Sequence, residues 1–319
     1  MAKLVVLVII FSLLLISGCQ SFGSGNSKRD QALNNDFRTG SQGLSMRFMP
    51  DIPPQKMFED EPFVAIVEVE NKGSFPVGGG LDYIYLSGFD PAIVTGIPIG
   101  GIGLEELEGK TVFNPNKGGL DYVQFGDGER NIRQLGPQTD EYTTTLLATA
   151  CYGYKTVATA NVCIDPDPFS RTSEAKACVA GGSVTLGSQG APIAITQVQI
   201  EPSPSRTVFR IFIQNVGGGT PLKDVTLLNK CSPYDIYGLE FDEVDYVSLE
   251  SVEVAGQQPR CKPSQEIRLT NGQGIIVCHL DHTFVSSSAF YSPLNIVLRY
   301  GYRSTIQKSL EIVASRGFT

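Results

Sequence analysis

Two short signatures recur in the same order along this chain, and they limit the folds that it can adopt. The first is an apolar, β-branched run that ends in Asn-x-Gly, at residues 63–73 and again at 208–217. The second is Tyr-Gly-Tyr, at residues 152–154 and again at 300–302. The two copies of the Asn lie 144 positions apart and the two copies of Tyr-Gly-Tyr lie 148 apart. Two signatures repeated at nearly one offset predict a duplicated domain.

The residues between these signatures favour strands. Short runs such as 83–86, 142–152, 246–254 and 294–302 are separated by Gly, Pro, Asn and Asp, and the one helix-like stretch, at 104–107, is short. Where an alternating strand ends in Asn-x-Gly, we expect Asn and Gly to supply the positive φ angles of a turn. The pattern predicts an all-β fold made of two tandem β-sandwiches.

Segment 67–73, VEVENKG, resembles the Val-x-Val-x-Asn-x-Gly segment of immunoglobulin-like modules on prokaryotic cell surfaces, including the CARDB-type adhesion-related family, and segment 211–217, IFIQNVG, fits it conservatively. The resemblance implies two immunoglobulin-like domains. We expect the first at residues 45–168 and the second at 169–319. The boundary is placed near Pro168, because the prolines there discourage continuation of a strand.

The N-terminus has the plan of a secretory signal. A positive start is followed by an apolar stretch at residues 4–15 and by Ile-Ser-Gly-Cys, which predicts a signal peptide over residues 1–18. The apolar stretch is too short to cross roughly 30 Å of hydrocarbon. Its end resembles a prokaryotic lipobox, which implies that Cys19 carries a diacylglycerol and anchors the chain to the cell membrane. Plain secretion and a retained anchor are the alternatives. Residues 19–44 are polar and predict a flexible tether.

The chain contains 7 Cys, and if Cys19 is lipidated the other six form an even set. In an exported protein an even set predicts three disulfides and an extracytoplasmic location, and no pair has the close spacing of a zinc site. We expect each domain to keep its own bridges. Cys151 would pair with Cys163 across a turn near Val157, and the alternative joins Cys163 to Cys178 across the linker. The six disulfide candidates are Cys151, Cys163, Cys178, Cys231, Cys261 and Cys278.

Few residues could carry chemistry, and each has a more ordinary interpretation. His279 and His282, the 2 histidines of the chain, would point to opposite faces of a strand, so no metal site is predicted. Residues 109–111, Gly-Lys-Thr, lack the remainder of a phosphate-binding P-loop. The acidic residues at 242–245 favour a solvated edge over a calcium site, because their spacing differs from that of an EF-hand. No catalytic residue and no cofactor is predicted.

The function predicted from these observations is interaction. A net charge of −8 disfavours binding to nucleic acid, which depends on Lys and Arg. The tyrosines of each Tyr-Gly-Tyr share one face of a strand and are expected to be structural. We therefore predict a non-enzymatic, lipid-anchored cell-envelope protein that acts in adhesion or as a scaffold for an envelope assembly, with a protein partner. One alternative is an accessory module of an envelope enzyme or transport complex that binds peptides or sugars through glycine-rich loops. A hydrolase with an unrecognised site is the last alternative.

Overall fold

Two antiparallel strands of 24 residues each form the centre of the fold. A computed structural model describes residues 37–170, 176–282 and 288–315. The two long strands pair along their whole length, with Glu141 opposite Val313 and Ile164 opposite Phe290. From residue 37 onward the chain clusters as one compact unit.

Seven strands come from the N-terminal half of the chain. They are β1 (Leu44–Phe48), β2 (Lys56–Phe58), β3 (Ala65–Asn71), β4 (Tyr83–Ser87), β5 (Ile102–Gly103), β6 (Leu120–Phe125) and β7 (Glu141–Ile164). The C-terminal half contributes nine strands and one 3₁₀ helix. They are β8 (Gly182–Thr185), β9 (Ile193–Pro202), β10 (Arg206–Asn215), β11 (Thr220–Leu222), the 3₁₀ helix Val225–Cys231, β12 (Tyr246–Val254), β13 (Arg260–Lys262), β14 (Glu266–Arg268), β15 (Gln273–Asp281) and β16 (Phe290–Val313).

The strands form three sheets around one core. The central sheet has the order β14-β12-β16-β7-β4-β5, and β2 and β11 also pair with β16. The two smaller sheets have the orders β1-β3-β6 and β13-β15-β10-β9-β8. Buried side chains from all three sheets, such as Val67, Phe209 and Leu298, belong to one continuous apolar cluster. The prediction of an all-β sandwich fold is confirmed, whereas the count of two domains and their immunoglobulin-like subtype stay predictions.

The two halves of the chain use the same strand order. In the N-terminal half β3 lies between β1 and β6, and in the C-terminal half β10 lies between β9 and β15. Strand β4 pairs with residues 147–151 of β7, and β12 pairs with residues 294–299 of β16. A duplication would produce this shared strand order, and the duplicated domain stays a prediction.

The halves also interlock through their last strands. Residues 155–164 of β7 lie opposite residues 290–299 of β16, and residues 303–313 of β16 lie opposite residues 141–151 of β7. At its end β16 pairs in parallel with β2, which comes from the other half. The expected boundary near Pro168 therefore separates two segments of chain that share one sheet.

Both Asn-x-Gly signatures close the same turn. Asn71 and Asn215 each donate a side-chain hydrogen bond to the carbonyl oxygen four residues ahead, at 2.8 Å in both copies. Each also accepts a hydrogen bond from the N–H of its own glycine, Gly73 at 3.1 Å and Gly217 at 3.3 Å. None of these four residues has a positive φ, so the expectation about the backbone was wrong. The Asn acts through its side chain, as it commonly does in turns.

The glycine of each turn is required by a tyrosine. A Cβ at Gly73 would collide with the Tyr154 hydroxyl, and one at Gly217 would lie 2.6 Å from the Tyr302 hydroxyl. Each hydroxyl accepts a hydrogen bond from the backbone N–H two residues after its glycine, at 3.3 Å and 2.8 Å. The two repeated signatures are thus in direct contact within each half.

The four tyrosines form a buried cluster on the inner face of the central sheet. Gly153 and Gly301 are opposite one another in the β7–β16 ladder, so Tyr152 is opposite Tyr302 and Tyr154 is opposite Tyr300. The ring centroids of these pairs are 5.7 Å and 6.3 Å apart. The hydroxyls of Tyr152 and Tyr300 accept hydrogen bonds from the first residues of β1 and β9, at 3.3 Å and 3.4 Å. The cluster therefore ties the central sheet to both smaller sheets, in agreement with a structural role.

The cysteines form three disulfides, but one expected pairing was wrong. The bridges join Cys151 to Cys231, Cys163 to Cys178, and Cys261 to Cys278. Cys151 cannot reach Cys163, because β7 continues through Val157 without a turn and strand geometry places the two about 40 Å apart. The alternative pairing of Cys163 with Cys178 is confirmed. Two of the three bridges cross the boundary near Pro168, so the expectation that each half keeps its own bridges was also wrong.

The predicted signal peptide, Cys19 and most of the predicted tether lie outside the described residues. The last part of that tether, residues 37–44, is bonded to the folded chain. Gly40 donates its N–H to the Ser188 hydroxyl at 2.9 Å, and its carbonyl oxygen accepts from the N–H of Gly190 at 3.0 Å. Within the described ranges, no helix has the length and hydrophobicity needed to span a bilayer.

Replacing Cys151 and Cys231 with alanine is expected to destabilise the protein more than replacing Cys261 and Cys278. The first bridge spans 80 residues and the second 17. In the chain-entropy model the first contributes about 4.5 kcal/mol to the free energy of unfolding and the second about 3 kcal/mol. Denaturant unfolding of the two double variants measures both losses. An equal or smaller loss for the Cys151–Cys231 variant would contradict the expectation.

Alkaline pH is expected to unfold the protein through its tyrosine cluster. Burial raises the pKa of Tyr302 from 10.0 to about 12 and that of Tyr154 further, and it raises the pKa of Tyr152 and Tyr300 well above the usual value of a tyrosine. Because the unfolded chain ionises first, these groups stabilise the fold fully below pH 10.0 and lose that effect as the pH rises through about 12. Tyrosinate absorbance and circular dichroism are therefore expected to change together. Ionisation of the cluster with native dichroism retained would contradict this.

Candidate functional site

The two histidines lie against other parts of the folded chain. His282 Nε2 lies 2.8 Å from the hydroxyl of Thr207, whose side chain is buried. The Nδ1 atom of His279 is buried and has no hydrogen-bond partner within the described part of the chain. Cys278, which precedes His279, is bonded to Cys261. Across the described ranges, no three His, Cys, Asp or Glu side chains are grouped so that they could hold a metal ion.

The other polar motifs are also engaged within the fold. The Lys110 ammonium donates a hydrogen bond to the carbonyl oxygen of Thr39 at 2.5 Å, so the Gly-Lys-Thr segment holds the N-terminal part of the described chain. In the acidic run, Asp242 is exposed, while Glu243 accepts hydrogen bonds from Lys230 and from the N–H of Glu240. Lys110 and Glu243 are therefore occupied by contacts within the fold.

A crossover segment, residues 220–245, begins as β11 beside β16 and then crosses the outer face of the central sheet, where Cys231 and Tyr234 contact β7 and β4. Side chains alternate along β7, so Cys151 and Gly153 point away from the tyrosine cluster. Cys151 binds this segment through its disulfide to Cys231. A Cβ at Gly153 would lie 3.3 Å from Val225, and one at Gly301 would lie 3.1 Å from the side chain of Leu222. The central glycine of each Tyr-Gly-Tyr therefore makes room for the crossover segment.

The crossover segment carries an apolar tip, defined here as Ile236, Tyr237 and Phe241. Their side chains are 92%, 88% and 75% exposed, respectively. The Arg268 guanidinium lies 4.4 Å from the centre of the Phe241 ring, a cation–π distance. Single exposed apolar residues are ordinary, but three large ones within six positions of one loop are an unusual concentration.

The loop that carries the tip is fixed at several points. The carboxylate of Asp235 accepts hydrogen bonds from the N–H groups of Tyr237 and Gly238, at 2.9 Å and 2.7 Å. The Tyr234 hydroxyl donates to the carbonyl oxygen of Leu86 in β4 at 2.6 Å. With the disulfide at Cys231, these bonds hold the tip in one position relative to the central sheet.

An ion pair closes the base of the same loop. Lys230 Nζ lies 2.6 Å from Glu243 Oε1. The hydrogen bond to Glu243 raises the pKa of Lys230. The pKa of Glu243 is lowered by the N–H of Glu240 and by Lys230. Both groups are therefore charged at neutral pH, and the pair joins the two ends of the loop.

A cleft of about 350 Å³ lies beside the tip. Residues of β7 and β16 form part of its lining, and their Thr149 and Thr305 hydroxyl oxygens are 3.0 Å apart. The rest of the lining comes from the glycine-rich loop at residues 218–219 and from the crossover segment, which includes Gly238 next to the tip. The other polar residues of the lining are Thr220, Lys230, Ser232 and Arg303. This cleft and the apolar tip make up the candidate functional site.

Comparison with known proteins adds no family to this picture. No protein-family model matches the chain, and no curated protein gives a significant match. The candidate site therefore stands on the geometry of this molecule alone.

Proposed function

We propose that this chain is a non-enzymatic protein of the cell envelope, held at the membrane by a lipid on Cys19, that binds a protein partner through the apolar tip. Binding of this kind serves adhesion or the scaffolding of an envelope assembly. Two features support the proposal: the exposure of the tip and the number of contacts that fix its loop.

The exposure of the tip is the observation that carries the proposal. Burying a large apolar side chain stabilises a complex by about 1.5–3 kcal/mol relative to leaving it in water. Ile236, Tyr237 and Phe241 offer three such side chains on one loop. Aromatic residues are also the ones that most often dominate binding at protein interfaces. A protein surface with an apolar pocket is the partner that best matches this chemistry.

The fixed loop adds to this argument. Ordering a flexible loop on binding costs free energy, and a loop that is already ordered avoids that cost. The Cys151–Cys231 bridge, the Lys230–Glu243 pair and the bonds to Asp235 all hold the loop before any partner arrives. The tip is therefore prepared for binding.

The three disulfides indicate an oxidising, extracytoplasmic environment, which agrees with a place in the cell envelope. A non-enzymatic role is supported by the surroundings of the histidines. The hydroxyl that is hydrogen-bonded to His282 belongs to Thr207, whose side chain is buried and out of reach of a substrate. The alternative function, a ligand-binding accessory module, is favoured by the cleft beside residues 218–219.

Changing the tip to serine is expected to remove partner binding while the fold stays intact. A photo-reactive amino acid at position 237 is expected to cross-link one envelope protein in cells that express the chain. The substitutions Ile236→Ser and Phe241→Ser are each expected to weaken that cross-link by roughly thirtyfold, since a residue that dominates binding contributes about 2 kcal/mol. Mass spectrometry of the cross-linked product measures the effect.

Phe113 provides the matched control for this experiment. Its side chain is 91% exposed but lies outside the crossover segment. The Phe113→Ser variant is expected to keep the cross-link, and a photo-reactive amino acid at position 113 is expected to give none to the same protein. Equal cross-linking from positions 113 and 237, or none from 237, would contradict the proposed function.

The lipid anchor is tested separately at Cys19. The mature protein is expected to begin at a Cys19 that carries a diacylglycerol, and mass spectrometry of the membrane fraction measures this directly. Cys19→Ser is expected to move the protein out of the membrane fraction, because the thioether bond needs the thiol. Ser21→Ala is the control and is expected to stay membrane-bound. A wild-type chain that still begins at Met1 would rule out the anchor.

A further inference from the structure

The proposed function explains the apolar tip but gives no role to the cleft beside it. Its lining holds two cationic side chains, Arg303 and Lys230, and no Asp or Glu among its described residues. Two cationic residues without an acidic residue in the same lining are unusual in a chain whose net charge is −8. The cleft is therefore a local site of positive charge on an acidic molecule, and an anionic group is the ligand that such a site attracts.

Arg303 supplies the charge that is available to a ligand. Lys230 is bonded to Glu243 at 2.6 Å, so its charge is largely compensated. Arg303 is half-buried and makes no ion pair with any carboxylate in the described part of the chain. A guanidinium presents a planar pair of donors that matches a carboxylate in two parallel hydrogen bonds. One uncompensated positive charge also suits a carboxylate better than a doubly charged phosphate.

The groups around Arg303 complete a preformed polar site. Thr149, Thr220, Ser232 and Thr305 line the same cleft. One hydroxyl of the Thr149–Thr305 pair donates to the other, so three of the four hydroxyls have a proton to donate to a carboxylate oxygen. The cleft is also held in shape, because Arg303 is opposite Cys151 in the β7–β16 ladder and Cys151 is bonded to Cys231 of the lining. On the other side, Gly219 packs against the carbonyl oxygen of Arg303 so closely that a Cβ would clash with it.

The size and position of the cleft point to a side chain of the partner. A volume of about 350 Å³ is at the lower end for ligand sites, which suits a single acidic residue. Gly238 and Leu239 of the lining follow Tyr237 of the tip directly in the chain. A polypeptide that packs apolar side chains against the tip can therefore place a neighbouring acidic side chain in the cleft.

We infer that this cleft binds the carboxylate of an aspartate or glutamate on the partner polypeptide, with the Arg303 guanidinium as its counter-ion. The identity of the occupant rests on the proposed function, because the apolar tip is what favours a polypeptide. The site combines one charged contact with one apolar contact, and such a pair fixes the orientation of a partner as well as its affinity.

Titration of the full mature chain with short peptides tests the inference. The probe is acetyl-Ala-Glu-Ala-amide, in which the side chain is the only carboxylate, and the matched peptide carries Gln in place of Glu. The Nε–H signal of Arg303, assigned by its loss in Arg303→Gln, is followed by nuclear magnetic resonance. We expect a saturable shift with the Glu peptide and none with the Gln peptide. The backbone N–H signal of Gly219, which also lines the cleft, is followed in every variant. By that signal Arg303→Gln is expected to weaken binding by roughly tenfold to a hundredfold, the range for a charged hydrogen bond.

Arg299→Gln is the matched control. Arg299 lies four residues before Arg303 on the same strand and the same face, is exposed, and does not line the cleft. It is expected to bind the Glu peptide as the wild type does. No saturable shift with the Glu peptide, or an equal affinity in Arg303→Gln, would overturn the inference. A tighter response to glucuronate or to inorganic phosphate would overturn the assignment to a polypeptide.

The same titration separates this inference from the proposed function. The Ile236→Ser and Phe241→Ser variant is expected to bind the tripeptide normally, because so short a probe needs only the cleft. If the tip makes no cross-link but the tripeptide binds through Arg303, the proposed partner surface fails and the carboxylate site stands. If the cross-link forms and the tripeptide does not bind, the carboxylate site fails.

Discussion

The pairing of β7 with β16 is the interaction on which the rest of this structure depends. The two strands are opposite one another over 24 residues, and every sheet and every proposed binding element is placed by them. On the inner face they carry the tyrosine cluster, which is hydrogen-bonded to one strand of each smaller sheet, β1 and β9. On the outer face they carry the crossover segment and contribute to the lining of the cleft. A shift of one residue in this ladder would turn the tyrosines outward and the glycines inward, so the register is fixed by both faces at once.

One tripeptide explains how the two faces are built together. In each Tyr-Gly-Tyr the tyrosines point into the core and the glycine points outward, as the alternation of side chains requires. The tyrosines fill the core and accept backbone hydrogen bonds, while Gly153 and Gly301 leave the space in which Val225 and Leu222 pack. The position of the tip and of the cleft above the sheet is therefore a consequence of the same residues that hold the core.

The local parts of this architecture could be predicted from the sequence, and most of its long-range pairings could not. Alternation in residues 63–71 and 208–215 predicted strands, and the period of two placed both tyrosines of each pair on one face. The error at Cys151 and Cys163 has a physical origin, because a turn was expected near Val157 where the alternation continues and keeps β7 straight. Pairing between β7 and β16 depends on residues some 150 positions apart, which no local pattern encodes.

The tip was missed for a similar reason. Pro233, Asp235 and Gly238 indicate a loop, but the exposure of Ile236 and Tyr237 depends on what surrounds that loop in three dimensions.

The register of the long ladder has a consequence for how such a protein can arise. Gly153 is opposite Gly301, so equivalent residues of the two halves exchange places about the midpoint of the ladder. Two identical copies of one half could meet through the same contacts across a true twofold axis, as isologous dimers do. Joining the copies in a single polypeptide makes that association intramolecular, so it no longer weakens on dilution. It also allows the two copies to diverge. The crossover segment with its tip belongs to the C-terminal copy, and the Cys151–Cys231 disulfide holds it over the shared ladder.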